Sequence, residues 1–104
     1  MSDRHTKNEH KWAHDENLQF KVVARRNKLL GLWAAGVLGL GGDEAETYAK
    51  SVVASDMKEP GEEDVFRKVA GDFAAKGVAV SGDAIRQKMA ELMGAAREQV
   101  KPAD

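Results

Sequence analysis

Hydrophobic positions along the chain fall into four segments with helical spacing. The longest lies within residues 16–40, where apolar residues recur at intervals of three, four and seven. These residues are Leu18, Val22, Leu29, Trp33 and Leu40, and the stripe is widened by Leu30, Leu32, Val37 and Leu38. A helix that is apolar almost all round is expected at the centre of a protein, with the other helices packed on it.

Three shorter amphipathic segments follow. The second helix is predicted to start near Asp43 and to end before the turn at residues 58–61. The third starts near Glu62 and ends at Gly77, and the fourth follows an N-cap at Ser81. Their apolar faces are Ala45, Tyr48, Ala49, Val52 and Val53, then Val65, Phe66, Val69, Ala70 and Phe73, then Ile85, Met89, Leu92, Met93, Ala96 and Val100.

The pattern therefore predicts an all-α fold, a four-helix bundle with a flexible N-terminal arm. We expect the arm at residues 1–15, either disordered or a fraying helix in the free protein, the bundle at residues 16–101 and a disordered tail at residues 102–104. The first helix should start near Asp15 or Glu16 and end by Gly39. A length of 104 residues suggests one domain, and a hydrophobic content of 42% is enough for a core.

The predicted arm is polar, and Trp12 is its one large apolar residue after Met1. Two interpretations of Trp12 stay open. It could anchor the arm to a partner, because tryptophan is enriched among interface hot spots, or it could contact the protein's own core. His10 and His14 have metal-ligand spacing on a helix, but no third ligand is in register, so we predict no metal site.

Charge is distributed unevenly along the chain. Residues 1–30 hold seven basic and four acidic residues, a balance of +3, whereas the remainder holds nine basic and 13 acidic residues, a balance of −4. The asymmetry is typical of solvated helix faces, but it also fits a basic arm that meets an acidic partner surface. An isoelectric point near 6.3 with no broad basic face argues against nucleic-acid binding.

Chemical motifs are largely missing. The chain has no cysteine and no phosphate-binding glycine loop, so we predict that it is not an enzyme and requires no cofactor. The longest apolar run, residues 29–40, is too short to span a membrane. No secretory signal is visible, and we expect a soluble, cytoplasmic protein.

Arg25, Arg26 and Lys28 form a cationic cluster in the longest helix. Arg25 and Lys28 are three residues apart and share one side, with Arg26 turned away. They could be a solvated polar strip, or they could capture an anion such as a nucleotide phosphate.

The run Ala24–Ala35, ARRNKLLGLWAA, together with His14, Asp15 and Phe20, resembles the zeta-type inhibitor subunit of alphaproteobacterial F-type ATP synthases. Further matches lie downstream, at residues 48–50, 64–68, 77–78 and 88–92, so the resemblance covers nearly the whole chain. It implies a four-helix bundle whose N-terminal segment enters a catalytic interface of the synthase's soluble head and blocks ATP hydrolysis.

The resemblance also implies the partners and sites. We expect a protein that is monomeric when free, and peripheral to the inner membrane through the synthase without inserting into the membrane. The expected partner-binding residues are Arg4, Lys7, Asn8, Glu9, Lys11, Trp12, His14 and Asp15. The family is associated with weak ADP or ATP binding on the bundle, and Arg25, Arg26 and Lys28 are the residues that we assign to the phosphates.

Two positions depart from the family pattern. Inhibitory members usually carry a second aromatic residue where Asn8 stands, four residues before Trp12, and an acid where Asn17 stands. A missing aromatic contact would weaken binding, so we hypothesise a weak inhibitor at neutral pH. Two alternatives remain: a nucleotide-sensing helical module, and a helical scaffold whose arm recruits a partner unrelated to the synthase.

Overall fold

Four α-helices make up the described part of the chain. The computed structural model describes the backbone of residues 2–56 and 62–100 and the side chains of residues 18–56 and 62–100. The helices are α1 (Ser2–Val37), α2 (Gly42–Ser55), α3 (Glu63–Lys76) and α4 (Gly82–Gln99), and these ranges contain no β-strand. The predicted all-α four-helix fold is confirmed. The predicted turn at residues 58–61 and the predicted tail at residues 102–104 lie outside the described residues.

Helix α1 is much longer than predicted. It begins at Ser2, so the helix start predicted near Asp15 or Glu16 is wrong. Residues 2–17 contain neither glycine nor proline, and extending an existing helix avoids the cost of nucleating a new one. A helix of 36 residues is about 54 Å long, at roughly 1.5 Å per residue. Helix α1 therefore accounts for most of the 60 Å length of a molecule that is only 25 × 22 Å across.

Glycines end α1 and α3 at the positions where the sequence predicts the ends. Gly39 and Gly77 have φ angles of 83° and 75°, in the left-handed region that favours glycine. After each, the next amide donates back across the last turn: Leu40 N to Ala35 O at 2.8 Å, and Val78 N to Phe73 O at 2.9 Å. The predicted N-cap of α4 is also confirmed, since Ser81 Oγ accepts a hydrogen bond from Ala84 N at 3.1 Å.

The core lies between α1 and the three shorter helices, so the predicted central position of α1 is confirmed. Its buried face is rotated from the predicted stripe, because Leu30 and Ala34 are fully buried while Leu29 and Trp33 are only half-buried. Trp33 packs edge-on against Phe73 of α3, with ring centroids 5.7 Å apart. The core cluster is Leu30, Ala34, Leu38, Val52, Val65, Val69, Phe73, Ile85 and Met89.

The closest helix contact is between α1 and α2, at Gly31. A Cβ atom added to Gly31 would lie 2.6 Å from the Cα of Ala49, and 3.1 Å from its Cβ. No carbon side chain fits in that space, so the glycine lets the two backbones touch. Ala49 is itself 1% exposed, which shows that the contact is sealed from solvent.

Substitution of Gly31 tests this contact. Gly31→Ala should lower the free energy of unfolding by about 1–3 kcal/mol, because the new methyl group must push α1 and α2 apart. Chemical denaturation followed by circular dichroism measures the change.

Gly36→Ala is the matched control in the same helix, since a Cβ there meets nothing within 4 Å. It should leave stability unchanged or raise it by about 0.5–1 kcal/mol. Equal stability of Gly31→Ala and Gly36→Ala would contradict the close contact.

Candidate functional site

The cationic cluster of α1 is divided between the core and the surface. Arg26 is only 2% exposed, and Asn27 beside it is 1% exposed. The Arg26 Nε donates to Asn27 Oδ1 at 2.7 Å, and its Nη1 donates to Glu62 Oε2 at 3.2 Å. A buried guanidinium requires such partners, because a charge removed from water without them is strongly unfavourable.

Two ion pairs hold the start of α3 between α1 and α4. Arg26 of α1 pairs with Glu62, the residue that precedes α3. Arg86 of α4 pairs with Glu63 at 2.8 Å, and its guanidinium also lies 3.9 Å from the ring centroid of Phe66. Arg86 and Glu63 are both substantially exposed, so their pair contributes modestly to stability, whereas Glu62 is a partner for a guanidinium that is buried.

Arg25 and Lys28 are exposed, unlike Arg26. The structure therefore does not bring the three predicted phosphate-binding residues together as one cluster. No ion pair joins Arg25 or Lys28 to an acid among the side chains of residues 18–56 and 62–100. The charge of Arg26, by contrast, is already paired with Glu62.

The predicted partner-binding residues all lie in the N-terminal half of α1. Their backbone is helical, and their side chains lie outside the described residues. These are Arg4, Lys7, Asn8, Glu9, Lys11, Trp12, His14 and Asp15. The two interpretations of Trp12, as an anchor for a partner or as a contact with the core, therefore both stay predictions.

A polar contact joins α2 to α3 at Tyr48. Its phenol donates to Asp72 Oδ2 at 2.7 Å, and Lys68 Nζ lies 3.0 Å from the same carboxylate. Burial raises the pKa of the Tyr48 phenol above its usual value, and the hydrogen bond to Asp72 and the negative charge of that carboxylate raise it further. The phenol is thus held protonated as a donor that links two helices.

The burial of Arg26 and Asn27 is not predicted in the sequence analysis. There, Arg25, Arg26 and Lys28 are interpreted as a solvated polar strip or as an anion site. The spacing carried the missing signal, since Arg26 lies four residues after Val22 and four before Leu30, and both of these are buried. A polar residue between two apolar residues of one helical face is a candidate for the core.

No group of three or more histidines, cysteines or acids close enough to hold a metal ion occurs among the described side chains. All three histidines lie outside these ranges, so the prediction about His10 and His14 is untested. No described helix is long and apolar enough to cross a bilayer.

The fold and the site define a class, a small four-helix protein whose first helix is prolonged at its N-terminus. The chain belongs to the ATPase inhibitor subunit zeta family, whose model matches residues 1–99. The family supports a role as an ATP synthase inhibitor, which is regulatory rather than enzymatic, and the predicted resemblance is confirmed.

A solved structure gives independent support for the fold. A protein determined by solution NMR is 51% identical, with a TM-score of 0.71, over 79% of this chain and 93% of that one. No curated protein matches this chain.

Substitution of Asn27 tests how much its hydrogen bond to Arg26 contributes to stability. Asn27→Ala removes the acceptor of the Arg26 Nε, and we expect a loss of about 1–3 kcal/mol in the free energy of unfolding. Urea denaturation measures it. Lys28→Ala, one residue further along on the exposed side, should change stability by less than about 0.5 kcal/mol. Equal effects of the two substitutions would show that the buried hydrogen bond is unimportant.

Proposed function

We propose that this chain binds the soluble catalytic head of an F-type ATP synthase and restrains ATP hydrolysis by inserting its N-terminal segment. The observation that carries the proposal is the unbroken course of α1 from Ser2 to Val37. The family model also spans residues 1–99, so the N-terminal segment belongs to the family match as well as the bundle. Association with the synthase would hold the protein at the inner membrane without a membrane-spanning helix.

A continuous α1 lowers the conformational-entropy cost of inserting the N-terminal segment. A free peptide of about 15 residues is a marginal helix, because the first turn must be nucleated at a cost in backbone entropy. Residues 2–15 extend a helix whose C-terminal half is fixed in the bundle, so their helix can propagate without a new nucleus. Less ordering is then needed when the segment enters a groove.

The sequence of this segment suits a groove with acidic walls. Arg4, Lys7 and Lys11 lie at spacings of three and four, which places them along one side of the helix. Trp12 would act as the apolar anchor, since a large aromatic side chain can fill a pocket at low entropic cost. Glu9, His14 and Asp15 complete the contact set that we assign to the segment.

Asn8 explains why the inhibition should be weak. On a helix Asn8 lies one turn before Trp12, so an aromatic residue there would extend the apolar face of the inserted helix. Burial of a phenylalanine side chain contributes roughly 2–3 kcal/mol. Asparagine makes no such contact and loses its hydration when it is buried.

Asn8→Phe should therefore strengthen inhibition at neutral pH. We expect the concentration for half-maximal inhibition of ATP hydrolysis to fall at least about tenfold, which corresponds to about 1.4 kcal/mol. The measurement is a titration of purified F-type ATPase. Asn8→Ala is the control and should give little gain, because a methyl group cannot fill the same pocket. Unchanged inhibition by Asn8→Phe would refute this role for position 8.

Weak ADP or ATP binding is a second proposed activity, and the exposure of Arg25 and Lys28 favours it. Arg26 is not a direct phosphate ligand in this proposal, since it is buried and paired with Glu62. The bundle could then act as a nucleotide sensor in addition to presenting the N-terminal segment.

Titration with millimolar ADP tests nucleotide binding. We expect backbone NMR shifts confined to residues near Arg25 and Lys28, and their loss in the double variant Arg25→Gln, Lys28→Gln. Lys50→Gln removes an exposed cation from α2 and should leave the shifts intact. A spectrum that ADP does not change would remove the nucleotide proposal.

A further inference from the structure

Phe20 is the one large hydrophobic residue that is exposed among the described side chains. It is 79% exposed, whereas Val22, two residues further along α1, is 6% exposed. At this level of the helix only one side contacts the bundle, and the phenyl ring lies on the other side. The bundle therefore provides no site for this ring, and solvent covers most of it.

The exposed residues next to Phe20 on α1 are one small apolar residue and three cations. Ala24 and Lys28 follow at intervals of four residues and are exposed, so they lie on the same side as the ring. Lys21 and Arg25, also exposed, flank them. We call these five residues the Phe20 face.

Acidic residues are absent from this stretch of chain. Residues 18–42 contain no aspartate or glutamate. No ion pair joins Lys21, Arg25 or Lys28 to an acid among the side chains of residues 18–56 and 62–100. The five residues of the Phe20 face therefore carry three positive charges and no negative charge, within a chain of net charge −1. The nearest acid on the same side of the helix is Glu16, one turn before Phe20.

This chemistry fits an acidic protein surface with an apolar pocket. Aromatic side chains in pockets dominate interface energetics, and complementary charge speeds and orients docking. A lipid surface fits less well, because helices that lie on membranes bury a broad apolar face and this one has a single large apolar side chain. A second copy of the chain also fits poorly, because pairing two such faces would bring like charges together.

We infer that the Phe20 face is a second docking site for the same ATP synthase head, separate from the inserted N-terminal segment. The inference rests on the proposed function for the identity of the partner. Phe20 follows Trp12 by eight residues on one helix, about 12 Å along its axis. The Phe20 face thus contacts the outer surface of the partner beside the groove that receives the segment.

The test measures the affinity of the full chain for the purified soluble head of an F-type ATP synthase. Phe20→Ala should lower the affinity about tenfold or more, with an unchanged circular dichroism spectrum because the ring is exposed. Trp12→Ala should also lower it, and the double variant should show roughly the product of the two fold-changes, as expected for separate contacts.

Charge variants test the rest of the face. The triple variant Lys21→Gln, Arg25→Gln, Lys28→Gln should bind more weakly at low salt and approach wild-type affinity at high salt, where the charges are screened. Lys50→Gln on α2 is the matched control and should bind as the wild type does. The Phe20→Ala effect should persist at high salt.

The outcomes separate this inference from the proposed function. If the wild type does not bind the head, the proposed function fails. If the wild type binds and Phe20→Ala binds equally well, the Phe20 face is not a docking site while the proposed function stands. If Phe20→Ala instead abolishes self-association in sedimentation equilibrium, or binding to anionic phospholipid vesicles, with no change in affinity for the head, the assigned partner is wrong.

Discussion

The structure depends first on the contact between α1 and α2 at Gly31. With a Cβ position 2.6 Å from the Ala49 Cα, the two helix backbones approach as closely as sterics permit. This contact fixes α2 against the C-terminal half of α1. Leu30 and Ala34 of α1 belong to the buried core cluster on which the other helices pack. Any side chain at position 31 would push α2 away from α1 and loosen the packing of the core.

Because the C-terminal half of α1 is fixed in the bundle, the direction of its N-terminal half is fixed as well. One helix cannot change direction without a kink, and residues 2–17 hold no proline or glycine that would supply one. The bundle therefore sets the direction in which the N-terminal segment leaves it. Arg26 strengthens this arrangement, because its hydrogen bond to Glu62 joins α1 to the start of α3, while its bond to Asn27 orients the guanidinium within α1.

Much of the fold follows from local sequence signals. The stripes of the three short helices, the glycine at position 77 and the cap at Ser81 act over a few residues, so periodicity and turn chemistry predict them correctly. The spacing of Arg26 from Val22 and Leu30 marks it as a candidate for the core, but its partner Glu62 lies 36 residues away and cannot be predicted from that spacing. The contact at Gly31 is also tertiary, since a glycine in a helix is equally compatible with an exposed position such as that of Gly36.

The helix start was predicted wrongly for a related reason. Low hydrophobicity marks residues 1–15 as a segment that cannot form a core, but a helix that is already nucleated needs no core to continue. The candidate site was predictable only through resemblance, because charge and spacing alone left Trp12 and the cationic cluster open to several interpretations. The exposure of Phe20 could not be read from its spacing, since it depends on where the bundle ends along α1.

The central claim is that the N-terminal segment restrains ATP hydrolysis. The most direct measurement is hydrolysis by purified alphaproteobacterial F-type ATPase, titrated with the full chain and with a variant that lacks residues 1–15. The account predicts inhibition by the full chain that is lost on truncation, while the truncated variant keeps its four-helix circular dichroism spectrum. Equal inhibition by both proteins, or none by the full chain, would contradict it.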